Sequence, residues 1–518
     1  MPTPRRHGGA ELQHLPLNLP GYMGLNTELR GSVLGPEWAT RLSNTVLDDA
    51  NRIASRKGWS QANGAALTGN IVQLHEHLDE VVGNTIWATT DDNQIWRSTD
   101  NAATFTLATG SASVSDPNMQ IVSFRDSVVG FQEGALPISF GTNSVNLSVP
   151  GAPQHGIALS AFGRLWAKDG PTVIKYSALL SQSDWTGSDT GVLDMTSIWP
   201  SADVITAIYA FSGNLVVFSK RHIVLFNDTD GSPLGLDPAN AAVVDMISGI
   251  GCVARDSVQN VKGDLWFLDD TGVHSLGRLV NTESNPIINL TKHIQSEIQD
   301  TAEASDLSKV RSVYSTADKF YLLSFPSNAG GLEVGKAYCL DTRTFMQDGS
   351  VRVPGVWNSL VPTAVIRGDN LEMYMAIHEA AGHVGTHNTY LDDGRPYVME
   401  YESGWTDLGS PDIKVLKRIE GLLFISDTVD VTYRWSFDFR ATFFSAIAEY
   451  ENATGVGSLY GSARFGTAHW GGGVTLQEQH VAGKSQGEHV KIGMSVNIDG
   501  SGLACQQISL YAKPGRLS

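Results

Sequence analysis

Short apolar or aromatic segments come in pairs along most of this chain of 518 residues, and turn-forming residues separate the two members of each pair. The clearest pairs are TIWATTDDNQIWRSTD, AFGRLWAKDGPTVIKYS, GNLVVFSKRHIVLFND, GDLWFLDDTGVHSLG, KFYLLSFP with KAYCLDTRT, and LEMYMAIHEA with GHVGTHNTYL. Each pair predicts a β-hairpin, because two strand-forming runs flank Asp, Asn, Gly or Lys at the turn. The pairs return every roughly 35–55 residues, which is a period typical of propeller blades.

Repeated hairpins of this kind restrict the fold, because one hairpin cannot bury an apolar face by itself. Blades that pack face to face around an axis do bury those faces, and closure of the ring removes most exposed strand edges. We therefore expect an all-β protein in which residues 61–394 form a β-propeller of six or seven blades.

The two ends of the chain differ from this middle region. The first 35 residues are rich in Pro and Gly and lack a periodic apolar face, so they predict an extended arm that lies on another part of the protein. We assign residues 1–60 to this N-terminal arm. After residue 395 the strand-rich run DIKVLKRIEGLLFISDTVDVTYRWSFDFRATFF leads into a Gly-rich stretch. This run predicts a second antiparallel β domain over residues 395–518.

Two stretches have their own patterns. Between Trp38 and Trp59, a loose helix and a strand–turn–strand unit both fit the apolar residues, and we favour two strands with the turn at DDAN. Over residues 288–306 a spacing of four predicts a short helix, inserted between blades, with an apolar stripe and an N-cap at Asn289 or Thr291. The stripe consists of Ile294, Ile298 and Ala302.

The composition limits the functions open to the chain. Charged residues make up 17% and the formal net charge is −18, which argues against a protein that grips nucleic acid, because phosphate binding needs clustered Lys and Arg. The same charge is compatible with the wall of a pore through which DNA slides. Widely spaced Cys252, Cys339 and Cys505 indicate neither a disulfide framework nor a metal site, and fit a reducing compartment. We expect no signal peptide and no membrane-spanning segment.

Candidate metal ligands are weak in this sequence. His378 and His383 resemble a zinc-protease pair, but they stand five residues apart where that helix needs four, and Gly382 takes the required place. His387 does not repair this spacing, and a solvated turn is the preferred interpretation. The trio His75-Glu76-His77 alternates faces on a strand, so we expect surface positions there as well.

Other segments also suggest structure more than chemistry. Residues 98–105, STDNAATF, resemble the Asp-box of sialidase-like propellers, with Ala102 where that motif has Gly; the box is a structural turn remote from catalysis. No nucleophile elbow, P-loop or dinucleotide fingerprint occurs in its required context. We therefore expect no enzyme activity, no catalytic, cofactor-binding or metal-binding residues, and no cofactor.

Two groups of basic residues could either contact a partner or lie in solvent. Arg52, Arg56 and Lys57 could touch a partner ring or DNA, and a solvated strand edge is the preferred interpretation. The same alternatives apply to a second group on a strand-like segment, which consists of Lys414, Lys417 and Arg418.

Several stretches together resemble the tail hub or nozzle proteins of short-tailed bacteriophages, of the "packaged DNA stabilisation" type. The opening PLNLPGYMGLNTELRG and PEWATRLSNTVLDDANRIASRKGW are similar to their first segment. The central KYSALLSQSDWTG, ADVITAIYAFSGNLVVFSKRHIVLF and ISGIGCVARDSVQNVKGDLWFLDDTGVHSL follow the order of their propeller blades. The closing SPDIKVLKRIEGLLF and ISLYAKPGR resemble their C-terminal domain.

The resemblance implies a structural virion protein that forms a ring, usually a hexamer, below a portal and an adaptor ring. In that family the N- and C-terminal parts pack together as a platform, and the propeller hangs beneath. The ring retains and ejects the phage DNA, which passes transiently through its lumen, and it bears fibre, spike or needle proteins. The resemblance also implies assembly in the bacterial cytoplasm. It assigns no catalytic residues to this chain.

Two other classes of function remain open at this point. One is a glycan-binding or glycan-cleaving propeller of a phage tail spike, which would be a trimer. The other is a secreted metalloprotease based on the His378 region. The number of subunits distinguishes the ring from the spike, and a zinc assay tests the protease.

Overall fold

The computed structural model describes most of the chain. The described residues are 12–108, 110, 113–141, 145–199, 203–228, 236–277, 289–326, 328–329, 332–333, 335–377, 382–409, 412–451 and 475–514.

Six short strands precede the first strand of the first propeller blade. They are β1 (Gln13–Asn18), β2 (Gly24–Leu25), β3 (Trp38–Ser43), β4 (Thr45–Leu47), β5 (Ile53–Ser55) and β6 (Ser60–Gln61). Strands β4 and β5 pair antiparallel with Val46 opposite Ala54, and the chain turns between them at residues 48–52. The predicted strand–turn–strand unit is thus confirmed.

The regular elements in the middle of the chain are almost all short strands. The first sixteen are β7 (Ile71–Asp79), β8 (Gly83–Thr90), β9 (Ile95–Ser98), β10 (Thr106–Leu107), β11 (Gln120–Phe124), β12 (Ser127–Phe131), β13 (Ile138–Phe140), β14 (Val145–Ser148), β15 (Ala158–Ala161), β16 (Arg164–Lys168), β17 (Val173–Tyr176), β18 (Gly191–Asp194), β19 (Ile205–Phe211), β20 (Asn214–Ser219), β21 (His222–Asp228) and β22 (Ala241–Ser248). They form four antiparallel sheets of four sequential strands each.

The remaining blades are also antiparallel sheets, but two of them are not built from four sequential strands. Their elements are β23 (Gln259–Val261), β24 (Asp264–Asp269), β25 (Gly272–Ser275), α1 (Gln295–Glu303), β26 (Arg311–Ser315), β27 (Phe320–Phe325), β28 (Asn328–Ala329), β29 (Leu332–Glu333), β30 (Lys336–Asp341), β31 (Gly355–Trp357), β32 (Pro362–Arg367), β33 (Met373–Ile377) and β34 (Val384–Thr386). Strands β23–β25 form a three-stranded blade, and β6 from the N-terminal segment completes the blade β32–β34.

These sheets form a β-propeller, as the sequence predicted. Six of the sheets are blades of their own, and the strands β26, β27, β30 and β31 fill one further position in the ring, although they belong to a ten-stranded sheet. The innermost strands β7, β11, β15, β19, β23, β26 and β32 follow one another around the axis, and β32 contacts β7 to close the ring. All six predicted hairpins are antiparallel strand pairs.

Both ends of the chain build a second, two-sheet unit, which we call the platform. Its later strands are β35 (Tyr397–Ser403), β36 (Lys414–Ile425), β37 (Val429–Phe437), β38 (Phe444–Tyr450), β39 (Thr475–Ala482), β40 (Gln486–Gly487), β41 (Val490–Ile498) and β42 (Leu503–Pro514). One sheet has the order β39-β36-β42-β5-β4, with β1 on β42 and β40 on β36. The other contains β3, β35, β41, β37 and β38, and continues through β31 into the propeller.

The two platform sheets enclose a core that extends into the propeller. Alternating residues of β36, such as Ile419 and Leu423, meet Tyr433 and Met494 from the opposite sheet, and all are buried. The same apolar cluster includes Trp266 of the blade β23–β25. Platform and propeller therefore share one hydrophobic core, whose burial is the main stabilising contribution.

The short helix α1 lies between blades, as predicted. Ile294 and Ile298 are fully buried in the shared core, and Ala302 packs against it. The predicted cap is wrong in detail. Thr291 precedes a single 3₁₀ turn, Lys292–Ile294, without a side-chain cap bond, and Asn289 Oδ1 accepts hydrogen bonds from Thr291. No helix in the described part of the chain is long and apolar enough to cross a membrane.

Candidate functional site

The innermost strands of the propeller surround a polar cavity along the ring axis, which we call the channel. Two adjoining cavities of about 470 and 410 Å³ share His75, Tyr209, Gln259, Ser312 and Val365 in their walls. The larger cavity reaches the starts of the inner strands, and the smaller one reaches toward their ends. Pockets of about 300–1,000 Å³ are typical of small-molecule sites, so the channel is the leading candidate site.

A hydrogen-bonded ion network closes the end of the channel at the starts of the inner strands. Asp256 Oδ2 accepts hydrogen bonds from Arg255 Nη2 (2.7 Å), Arg311 Nη1 (3.0 Å) and Gln73 Nε2 (3.2 Å). Arg311 Nη2 also donates to Asn118 Oδ1 at 2.7 Å. The network ties together β7, β26 and the loops before β11 and β23, so it fixes several blades around one carboxylate.

The charges of this network determine the protonation of Asp256. Burial by itself would raise the pKa of the Asp256 carboxyl, but the guanidinium groups of Arg255 and Arg311 outweigh burial and lower the pKa to about 2. Arg255 also donates from Nη1 to the carbonyl oxygens of Gly156 (2.6 Å) and Asn118 (3.2 Å). The carboxylate is ionised at neutral pH and is the central acceptor of a structural hydrogen-bond network.

Two histidines of β7 share one hydroxyl of the next blade. His75 Nε2 lies 2.8 Å and His77 Nδ1 lies 3.0 Å from Ser123 Oγ of β11. Burial, and then the neighbouring His77, lower the pKa of His75 to about 4, so the ring is neutral at pH 7. The predicted surface position is wrong, because His77 is buried and His75 lines the channel. Glu76 accepts from Asn84 Nδ2 instead, in keeping with the alternation of a strand.

Arg56 lies at the junction between propeller and platform. Its guanidinium donates to both carboxylate oxygens of Asp392 (2.8 and 2.6 Å), to Ser359 Oγ (2.7 Å) and to Asn44 Oδ1 (3.2 Å). The guanidinium carbon lies 4.0 Å from the ring centre of Tyr397. Because the Arg56 side chain is fully buried, both the predicted solvated edge and the alternative contact with DNA or a partner are wrong.

The neighbouring basic residues are also paired within the chain. Lys57 Nζ lies 2.7 Å from Asp318, and Arg52 Nη2 lies 2.6 Å from Asp48. Next to this junction a further cavity of about 400 Å³ opens between Trp59 and Tyr397. Each member of the basic string thus has a carboxylate partner: Arg56 and Lys57 reach distant segments of the chain, whereas Arg52 pairs within its own turn.

The second basic group is divided between interior and surface. Lys414 is buried and donates to the carbonyl oxygens of Asp412 and Glu488, so the solvated position predicted for it is wrong. Arg418 pairs with Glu420 at 2.7 Å, whereas Lys417 is exposed.

No predicted metal ligand lies in a metal-like arrangement among the described residues. His378 and Glu379 lie outside them, and His383 directly precedes β34, with Nδ1 3.3 Å from the carbonyl oxygen of Asn63. His387 is buried and stacks on Trp357 with ring centres 5.5 Å apart; burial lowers its pKa. The described part of the chain contains no group of three or more His, Cys, Asp or Glu that could hold a metal.

The three cysteines are buried and unbonded, as their spacing indicated. Burial raises the pKa of Cys252 and of Cys505 to about 12, and it raises that of Cys339 as well. Their thiols therefore stay protonated at neutral pH, and packing accounts for all three.

Residues 98–105 adopt a compact turn between β9 and β10, on the outer side of the first blade. Asp100 accepts from Ser98 Oγ (2.8 Å) and from the backbone N (2.9 Å) and hydroxyl (2.6 Å) of Thr104. Ala102 is buried and has φ of 65°, a conformation that glycine adopts more easily. The segment that resembles an Asp-box is thus a structural turn.

Sequence reasoning did not identify the channel network. Its arginines follow apolar residues in CVARDSV and KVRSVYS, Arg255 in a 3₁₀ turn before β23 and Arg311 at the start of β26. Charged residues inside such apolar runs are a signal of buried pairing, although they do not identify the partner.

The fold defines the class of protein, a β-propeller joined to a two-sheet β platform. No protein-family model matches the chain, and the comparison with curated proteins finds no match.

Proposed function

We propose that the protein is the subunit of a ring-shaped tail hub or nozzle of a short-tailed bacteriophage. The observation that carries this proposal is that both ends of the chain contribute strands to the platform. Strand β1 pairs with β42 from Gln13 opposite Ala512 to Asn18 opposite Gln507, and β3 pairs with β35. The resemblance implies the same plan, in which N- and C-terminal parts form a platform that carries a propeller.

The size of the propeller channel argues against a path for DNA through a single subunit. The Arg255–Asp256–Arg311 network closes one end of the propeller channel, and a DNA duplex does not fit a cavity of about 470 Å³. In the proposal the conduit therefore runs between several identical subunits. The acidic chain, with formal charge −18, would present like charge to DNA in that lumen and limit sticking.

An apolar edge of the platform supports self-association. Among the described residues, strand β38 ends the ten-stranded sheet, and on or beside it Phe439, Phe444 and Ile447 are 55%, 40% and 66% exposed. Phe439 also has φ of 60°, an unusual conformation for a bulky residue. An exposed apolar edge strand of this kind favours pairing with another chain, and the proposal assigns it to the neighbouring subunit.

The number of subunits tests this proposal. Native mass spectrometry and electron microscopy of the full-length protein should show a closed ring, six subunits in the expected case, with a central hole. Ile447→Asp should shift the mass toward monomer, because a charge would be buried in an apolar contact. The control Val81→Asp, at an exposed propeller turn, should leave the ring intact. A trimer would contradict the proposal. So would a wild-type protein that is monomeric in solution and in purified virions.

The proposal places the protein in the virion, with an adaptor ring above and fibre, spike or needle proteins attached. It assigns no reaction to the chain. Immunogold labelling of purified particles should place the protein at the tail end of the capsid.

A further inference from the structure

Five uncharged polar side chains of five different blades line the channel and keep hydrogen-bonding atoms free. The hydroxyls of Tyr209 and Tyr314 have no hydrogen-bond partner within the described residues, and neither has Nδ1 of His75. In the described part of the chain, Gln120 bonds only through Oε1, which accepts from Ala158 N at 2.9 Å. Gln259 bonds there only through Nε2, which donates to the Ser312 carbonyl oxygen at 3.0 Å.

At the closed end of the channel the charged groups are paired with one another, whereas Glu76 and Arg367 near the other end bond to uncharged groups. Asp256 is held by Arg255 and Arg311 at the closed end, and Glu76 accepts from Asn84 Nδ2 and from the backbone N of Asp369. Arg367 lies at the exposed ends of the inner strands and donates to Thr316 Oγ1 at 3.1 Å. An ionic ligand at the closed end would have to break one of the Asp256–arginine pairs to gain a counter-charge, which is costly in a partly buried site.

We propose that the channel binds a neutral, hydroxyl-rich ligand, namely a sugar unit of a carbohydrate. Free hydroxyl, amide and imidazole groups from several directions match the donors and acceptors of a sugar. Tyr209 and Tyr314 add aromatic surface for the C–H faces of the ring.

The size and position of the channel agree with this ligand class. The two adjoining cavities of about 410 and 470 Å³ have room for one or two sugar units, and the closed end gives the site a floor. The site lies on the propeller axis, whereas the apolar edge assigned to ring assembly lies on the platform. The inference therefore does not rest on the proposed ring, and each can fail without the other.

Calorimetric titration of the full-length protein tests the site directly. The probes are D-glucose, D-galactose and D-mannose as neutral hexoses, and D-glucuronate as the charged counterpart. At least one neutral hexose should bind with a Kd of about 1 mM or tighter, and glucuronate should bind at least about tenfold more weakly. Tyr209→Phe removes one hydroxyl and should weaken hexose binding about tenfold, the scale of one lost hydrogen bond.

Tyr22→Phe is the matched control, because Tyr22 is a partly exposed tyrosine outside the propeller. It should leave hexose affinity unchanged. The inference is overturned if every hexose binds more weakly than about 10 mM, if glucuronate binds as tightly as the best hexose, or if Tyr209→Phe binds like the wild type. Thermal unfolding curves of both variants show that a change in affinity is not a loss of the fold.

Discussion

The propeller mostly pairs strands that are close in the sequence, whereas the platform pairs strands from the two ends of the chain. In the propeller, most neighbouring strands follow each other in the sequence, as in β8 and β9, where Trp87 faces Arg97. In the platform, strands from the two chain ends lie side by side, as in β1 and β42. The difference teaches that blades can form from local contacts, while the platform needs the whole chain before its sheets are complete.

The two regions meet at polar side chains as well as in a shared core. Arg56 and Asp392 lie at the junction, and Asp256 lies inside the propeller. A substitution at the junction should therefore loosen the platform from the propeller, whereas one in the channel should act on the blades alone.

The largest effect is expected for Arg56→Ala. The change leaves Asp392 without its counter-charge, and breaking a buried ion pair from one side costs about 3–5 kcal/mol. We expect this loss in the free energy of unfolding from urea titration. Hydrogen exchange should rise at both β5 and β35, the strands on either side of the junction.

Arg52→Ala provides the comparison for that change. Its partner Asp48 is partly exposed, and pairs of this kind contribute about 1 kcal/mol or less. If the two arginine variants unfold at the same urea concentration, the junction does not depend on Arg56.

Asp256→Asn should act within the propeller. It removes the charge that compensates Arg255 and Arg311, and we expect a loss of about 2–3 kcal/mol, the scale of hydrogen bonds to charged groups. Exchange should rise at β7 and β26 and stay unchanged at β42. Equal exchange in both regions would show that propeller and platform do not respond separately.

The pH dependence of stability gives a second measure of the same carboxylate. Its pKa is about 2 when folded and 3.8 as the ordinary value, so the unfolded chain binds more protons between these values. Stability should therefore fall as pH drops from about 4 to about 2, and Asp256→Asn should lose this contribution. His75, with a pKa of about 4 when folded against 6.5, acts in the same direction over the higher range.

The comparison also explains what the sequence could predict. Hairpins such as TIWATTDDNQIWRSTD carry their strands and turn within a few residues, so they and the propeller were predicted correctly. Arg56 was misplaced because its partner Asp392 lies 336 residues away, where no local pattern refers to it. Sequence patterns did not single out Arg311 and Gln73 for the same reason, since both bond to Asp256 from distant parts of the chain.

Gly421→Ala should weaken the platform alone. A Cβ at Gly421 would overlap the hydroxyl of Tyr433, which lies 2.6 Å from that of Tyr450 between the two sheets. Overpacking of this kind costs about 1–3 kcal/mol, and we expect about 2 kcal/mol in urea unfolding. Gly64→Ala has open space around the new methyl group and should cost almost nothing. A neutral Gly421→Ala would mean that the platform sheets are free to move apart.

The smallest effect is expected for Asp100→Ala in the turn between β9 and β10. Burial by itself would raise the pKa of Asp100, but hydrogen bonds from Thr104 and Ser98 outweigh it and lower the pKa. The carboxylate is exposed, and loss of these bonds should cost about 1 kcal/mol, confined to the first blade because its strands pair locally. Thr99→Ala, next in the chain and also exposed, is the control. Increased exchange at β36 would contradict this confinement, because it would mean that blade and platform unfold together even for a change at the outermost turn.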